Sequence, residues 1–232
     1  MQGKIIFFDF DKTITNEDTL LPAAYFFLKY KKNRIRYFLA AGSFIAFRIR
    51  IISEYRFKEI LCTLMVKGLD EEKVYNIASR FYNENASRPF FNPAVIELLN
   101  DYKLKGDEIY LVSSNFEFLL EPLKELLPID GIFATVSGKK GKKYSGKILG
   151  EVCSFEHKVT RTSHLLQHNS TVCYGDSKGD FMLMNACSSS FLIKHKKKSI
   201  TRRIFYLFNL LLGGLSVGSE YSSSIVPFRN QY

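Results

Sequence analysis

The chain has 232 residues, with 33 Lys plus Arg against 23 Asp plus Glu for a formal net charge of +10; 46% of it is hydrophobic, including 21 Phe and 13 Tyr. That length suits one domain with an insertion, or one and a half domains, and can bury a sizeable core, and the composition excludes wholesale disorder and a fibrous or low-complexity chain. The charge is uneven: residues 29 to 58 hold nine Lys/Arg against one acid, residues 194 to 232 hold seven against one, and the other 163 residues sum to −4.

Lys4 to Phe8, KIIFF, is a short β-prone run ending in the acidic turn DFDKT, as expected of a buried strand whose carboxyl end carries function. From Glu17 to about Arg88 the pattern becomes helical, with Phe, Tyr and Leu at mixed spacings of three and four. Pro93 then starts a helix running to about Lys105. Glu108 to Val112 reads as a second strand ending in Ser113, Ser114 and Asn115. Phe116 to Leu127 reads as a helix stopped by Pro128, Ile132 to Val136 as a third strand, and residues 137 to 149 as a Gly-punctuated hairpin or loop. A helix from about Phe155 to Gln167 leads into a fourth strand, Thr171 to Tyr174, which ends at Gly175-Asp176.

Strands alternating with helices predict an α/β fold, a Rossmann-like doubly wound parallel sheet that binds ligands beyond its strand carboxyl ends. The helical block between strands one and two is then a cap inserted over that edge. The expected division is a core of residues 1–16 and 89–193, a cap of 17–88 and a basic, apolar tail of 194–232.

Asp9 with Asp11 follows strand one, and Asp176 with Asp180 follows strand four. Carboxylates gathered at neighbouring strand ends repel one another unless a cation neutralises them, and oxygen ligands of this kind suit Mg²⁺. Taken singly, Asp9 with Asp11 also reads as a pair of solvated turn acids, and GDSKGD as a Gly/Asp/Ser turn before a helix. The four His residues and the four Cys (Cys62, Cys153, Cys173, Cys187) show no metal-ligand spacing, and the absence of CxxC suits reduced thiols. The short apolar run at the N-terminus does not read as a signal peptide, and no run of 18 uninterrupted apolar residues exists; the expected location is cytoplasmic.

The ordered series FFDFDKTIT, LVSSN, FEHKV and YGDSKGD resembles the four motifs of the haloacid dehalogenase-like phosphohydrolases over about residues 4 to 193. The cap position and the form DFDKTIT..DT resemble the phosphoserine-phosphatase-like branch, subfamily IB. The resemblance implies a Mg²⁺-dependent phosphatase in which Asp9 is the nucleophile that becomes an aspartyl phosphate and Asp11 the general acid and base. It gives Thr13 as an orienting hydroxyl, Ser113 as the hydroxyl that bonds a phosphoryl oxygen, with Ser114 the runner-up and Asn115 in support, and Lys158 as the balancing cation, ahead of Lys147. Asp176, Asp9 and the backbone carbonyl of Asp11 would hold the metal, with Asp180 supporting. Lys12 stands where the family often has Gly.

In phosphoserine phosphatases an acidic cap residue holds the substrate ammonium, and Asp18 falls at the matching place; Asp18-Thr19 is equally a helix N-cap signature. The leading expectation for the leaving group comes from the basic patches. KYKKNRIRYFLAAGSFIAFRIRII in the cap and KHKKKSITRRIFYLFNLLLGGL in the tail join basic residues to apolar runs, the composition of segments lying on an anionic membrane surface. Residues 29–58 and 194–215 therefore predict a protein peripheral on a membrane and acting on a lipid phosphate such as phosphatidylglycerophosphate, since that branch includes phosphatidylglycerophosphate phosphatases. Nucleic acid is not expected as a partner. The alternatives are a cytosolic small-metabolite phosphatase and a non-catalytic membrane-surface binding module.

Overall fold

A computed structural model describes residues 3–31, 34–86, 90–168, 170–195 and 223–228. The basic and apolar run from 196 to 215 and the close of the cap at 87 to 89 lie outside the described residues.

β1 (Ile5–Phe8) leads into a wide helical turn (Phe10–Ile14), and four helices follow: α1 (Leu20–Tyr30), α2 (Arg34–Arg48), α3 (Glu54–Val66) and α4 (Glu71–Asn85). The chain returns through α5 (Pro93–Leu104) to β2 (Glu108–Phe116), which runs four residues past the expected end and carries Ser113 to Asn115 within it. Instead of one helix from 116 to 127, two single turns form, α6 (Glu117–Leu120) and α7 (Leu123–Leu126), because Pro122 lacks the N–H needed to continue the first. β3 (Gly131–Thr135) precedes a hairpin of β4 (Ser137–Lys140) and β5 (Lys143–Ile148). Then come α8 (Glu156–Leu166), β6 (Thr171–Gly175), α9 (Phe181–Ala186), β7 (Ser189–His195) and β8 (Ser223–Pro227).

The six-stranded sheet has the order β3-β2-β1-β6-β7-β8, parallel throughout except for β8. This is the expected Rossmann-like α/β sheet, widened by two strands the sequence did not announce. β8 belongs to the segment read as a tail, and the ring of Phe228, just past the strand, packs 4.9 Å from Phe181.

β1 is central and buried on both faces. Ile6 and Phe8 point into one apolar cluster and Ile5 and Phe7 into the other, as a two-residue period requires. The first cluster continues without a break into helices α1, α3 and α4 through Leu20, Phe27, Leu61, Phe81 and Tyr82, so those helices and the sheet share one core. Parallel strands put every carboxyl end on the same edge. The turn after β1, Ser113 and its neighbours on β2, and the loop after β6 therefore meet there.

Candidate active site

Asp9 directly follows β1 and is tied to β6 by its N–H, which donates to the carbonyl of Tyr174 at 2.9 Å. Lys158, on the first turn of α8, reaches into the same space and is only 2% exposed. Its ammonium donates to Asp9 Oδ1 at 2.6 Å, Asp180 Oδ1 at 2.5 Å and the Val112 carbonyl at 2.7 Å, one acceptor for each of its three protons. Burial alone would lower the Lys158 pKa, but Asp9 and Asp180 outweigh it and hold the group charged, well above its ordinary range.

Asp180 organises the loop after β6. Its Oδ2 accepts from the Ser177 N–H at 3.0 Å and Ser177 Oγ at 2.9 Å, leaving Oδ1 to Lys158. Gly175 makes this possible, since a Cβ there would lie 2.6 Å from Asp180 Cβ.

One oxygen from each of Asp9, Asp176 and Asp180 falls within 4.8 Å of the others. Burial first, and then Asp180, raise both Asp9 and Asp176, the latter to about 6. Three carboxylates facing one ammonium form an oxygen-rich donor set short of positive charge, which fits a hard divalent cation such as Mg²⁺. Because Asp180 is already committed to Lys158 and Ser177, Asp9 and Asp176 are the side chains left to hold an ion.

The Asp11 side chain is not in that cluster. Its Oδ1 accepts from both the N–H and the hydroxyl of Thr19, each at 2.7 Å, and its Oδ2 from Asn115 Nδ2 at 3.3 Å. Burial and then Asp18 raise its pKa to about 7, against the pull of the Thr19 bonds. The sequence offered Thr19 only as a helix cap. Its hydroxyl is instead a clamp on Asp11, further fixed by Asn115 Nδ2 at 3.0 Å.

Ser113 is buried, and its Oγ accepts from the Asn115 N–H at 3.1 Å, which leaves its own proton to donate. Ser114 is less buried, and its carbonyl accepts from Thr135 Oγ1 at 2.8 Å. Thr13 is wholly buried, but its hydroxyl has no hydrogen-bond partner among the described residues. Thr15 pins the turn instead: its Oγ1 lies 2.7 Å from the Glu17 carbonyl and 3.1 Å from that of Phe10, and accepts from the Lys12 N–H. Lys12 sits at φ 59°, ψ 13°, the left-handed conformation that Gly adopts most cheaply. Lys147 is exposed on β5 and takes no part.

Lys58 lies in the basic stretch expected to face a membrane surface, yet it is 4% exposed and points inward. It donates to the Ser114 carbonyl at 2.6 Å and pairs with Glu54 at 2.9 Å, one turn earlier on α3. Lys31 and Arg36 are also engaged, both donating to the Leu64 carbonyl at the end of α3, at 3.2 and 3.0 Å. Among the described residues of 29 to 58, Lys31, Arg36 and Lys58 thus serve the protein's own backbone.

The family described as haloacid dehalogenase-like hydrolase matches residues 6–185. A curated relative, histidinol-phosphatase of Neisseria meningitidis serogroup C (strain 8013), is 30% identical over 110 residues, covering 43% of this chain and 49% of the relative. The chain therefore spans about half the length of that protein. Among solved structures, a protein of unknown function from Bordetella pertussis Tohama I superposes with TM-score 0.73 at 17% identity, covering 82% of this chain and 89% of that one. A substrate-bound phosphoserine phosphatase gives TM-score 0.57 at 21% identity, covering 82% and 85%. A probable phosphoserine phosphatase from Vibrio cholerae gives 0.61 at 20%, covering 82% and 55%. At these identities the structural likenesses establish the fold.

Proposed function

The chain belongs to the haloacid dehalogenase-like hydrolase family, and from that premise we propose that it is a phosphatase that hydrolyses phosphate monoesters with Asp9 as nucleophile. The observation that carries this reading is the division of labour between the two acids. Asp9 is held by Lys158 beside Asp176, while Asp11 is held separately by Thr19 and Asn115.

Asp9 attacks phosphorus as the bond to the leaving oxygen breaks, and Asp11 gives that oxygen its proton. Asp11, now a carboxylate, takes a proton from water as the water oxygen attacks the aspartyl phosphate, which releases inorganic phosphate and regenerates Asp9. Ser113 donates its free proton to a phosphoryl oxygen, and Lys158 balances the charge. Mg²⁺ held by Asp9, Asp176 and the Asp11 carbonyl would neutralise the phosphoryl group. The domain reading goes with this: residues 17–88 cap a core of 1–16 and 89–193, and the cap selects the leaving group.

For the leaving group, the finer proposal is a lipid phosphate, phosphatidylglycerophosphate in particular, supported by the basic and apolar residues of the cap. The alternative is a small soluble phosphate, and the relative named histidinol-phosphatase supports that class. Phosphate release from p-nitrophenyl phosphate with Mg²⁺ tests the reaction: activity should be lost in Asp9→Asn, and equal background rates in both proteins would end the enzyme reading. A panel of lipid phosphates, phosphoserine and histidinol phosphate then decides the leaving group.

A further inference from the structure

α2 has two apolar faces. The inner one is satisfied: Ala40 and Ser43 are buried, Phe47 stacks on Phe57 of α3 with ring centres 4.9 Å apart, and Tyr37 packs 5.0 Å from Tyr25 of α1. The outer one consists of Phe38, Leu39, Ile45 and, just beyond the helix, Ile49, which are 78%, 54%, 56% and 62% exposed. Gly42, also exposed, lies between them, and residues 38, 39, 42, 45 and 49 follow the spacing of one helix face. A helix in water keeps one apolar stripe and turns polar side chains outward; one that is apolar on every side is covered by something.

The charges say what covers it. From residue 29 to 53 the sequence has seven Lys/Arg and no Asp or Glu. Arg48 and Arg50 are exposed at the carboxyl end of the apolar stripe, and Ile51, 71% exposed, follows them. A second copy of this chain seated on the same face would set Arg48 and Arg50 against like charge, with no acid in the segment to offset them, so self-association is opposed. A surface that is apolar in depth and anionic at its boundary matches both properties at once: the side chains enter the acyl region while the guanidinium groups stay at headgroup level.

We infer that the outer face of α2 is a membrane-contact surface, through which Phe38, Leu39, Ile45 and Ile49 insert into an anionic phospholipid bilayer and Arg48 and Arg50 pair with its headgroups. This deepens the lipid-phosphate reading and rests on it for its purpose, because a cap that docks on the bilayer brings the site to a substrate that does not leave it. The binding itself is tested independently of any turnover.

The experiment is vesicle co-sedimentation of the full chain, using phosphatidylcholine vesicles with and without an equal share of phosphatidylglycerol. The native protein should pellet with the anionic vesicles and much less with the neutral ones, and rising salt should weaken the binding. Phe38→Ser/Ile45→Ser/Ile49→Ser should bind the anionic vesicles at least tenfold more weakly, while hydrolysing soluble p-nitrophenyl phosphate at the native rate, which shows that the variant is folded. Arg48→Gln/Arg50→Gln should reduce the preference for phosphatidylglycerol. If the native chain fails to bind, or the triple variant binds as well as the native chain, the inference is overturned. It is also overturned if sedimentation in the absence of lipid reveals a dimer that the triple variant dissolves, for then the face joins two copies. If neither protein hydrolyses p-nitrophenyl phosphate, that result counts against the phosphatase reading, and circular dichroism decides whether the variant's binding is interpretable.

Discussion

Thr19 fixes the geometry on which the proposed proton transfer depends. Its N–H and hydroxyl both hold Asp11 Oδ1, so the other oxygen of that carboxyl is the one turned toward Asn115 and available to exchange a proton. Thr19→Val keeps the shape and the N–H but deletes the hydroxyl. Because a positioned general acid contributes roughly 10²–10⁴-fold, kcat/KM for an alkyl phosphate should fall by about tenfold or more. p-Nitrophenyl phosphate, whose leaving group needs little protonation, should lose far less, and Thr19→Ser should restore both. Equal losses on the two substrates would mean that Thr19 merely supports the fold. The sequence marks Asp9, Asp11, Lys158 and Asp176 as candidates because the motifs carry them in order. It did not show the Thr19 clamp, because Asp18-Thr19 already had a sufficient local explanation as a cap, and the contact to Asp11 exists only once the turn at Lys12 has closed. Thr15 was hidden in the same way by Thr13, two positions earlier in TIT.

Among the elements, the helices between β1 and β2 are joined to the sheet by contacts that leave no local signal. Helical periodicity predicts the helical block between β1 and β2, but not that α3 turns Glu54 and Lys58 toward the strand edge where Ser114 lies. Lys58 anchors the Ser114 carbonyl, and Ser154, just before α8, lies 3.4 Å from Glu54 Oε2. The pair thus ties α3 both to the strand carrying Ser113 and to the segment leading to the Lys158 helix. From the sequence alone, Lys58 was one cation among nine, since burial is set by tertiary packing. The hairpin locks onto α3 from the other side: Thr63 Oγ1 donates to the Gly146 carbonyl at 2.7 Å, and Gly146, at φ +82°, has no room for a side chain against Thr63. Lys58→Met should destabilise the protein by about 1–3 kcal/mol, the cost of breaking a largely buried ionic hydrogen bond, and should lower turnover through the strand end it anchors. Urea denaturation and steady-state kinetics on Lys58→Met, Glu54→Gln and the double variant measure the coupling. Additive effects would show that the two residues do not act as a pair. The break between α6 and α7 was legible in principle from Pro122; β8 was not, because a strand five residues long beyond a long basic segment carries no periodicity of its own.

For the whole molecule, the net charge of +10 conceals a separation. The surplus lies in the cap and the tail, whereas the catalytic edge gathers carboxylates from opposite ends of the sequence around one ammonium. Folding brings Asp9, Asp176 and Asp180 together at the expense of their hydration and against their mutual repulsion, and Lys158 offsets only part of that. A divalent cation that binds the folded chain and not the unfolded one must therefore raise stability, by about 2.7 kcal/mol at a hundred times its dissociation constant. In a chain of this size that corresponds to roughly 5–10 °C in Tm. Protein stripped with EDTA should melt at the lower temperature and recover the difference on adding Mg²⁺, with an equal ionic strength of NaCl as the control. Asp176→Asn removes one ligand and one of the repelling charges together, so it should melt above the stripped native protein and respond little to Mg²⁺. A native protein whose Tm ignores saturating Mg²⁺ would show that Lys158 alone satisfies the cluster, and the metal-dependent reading would fall with it.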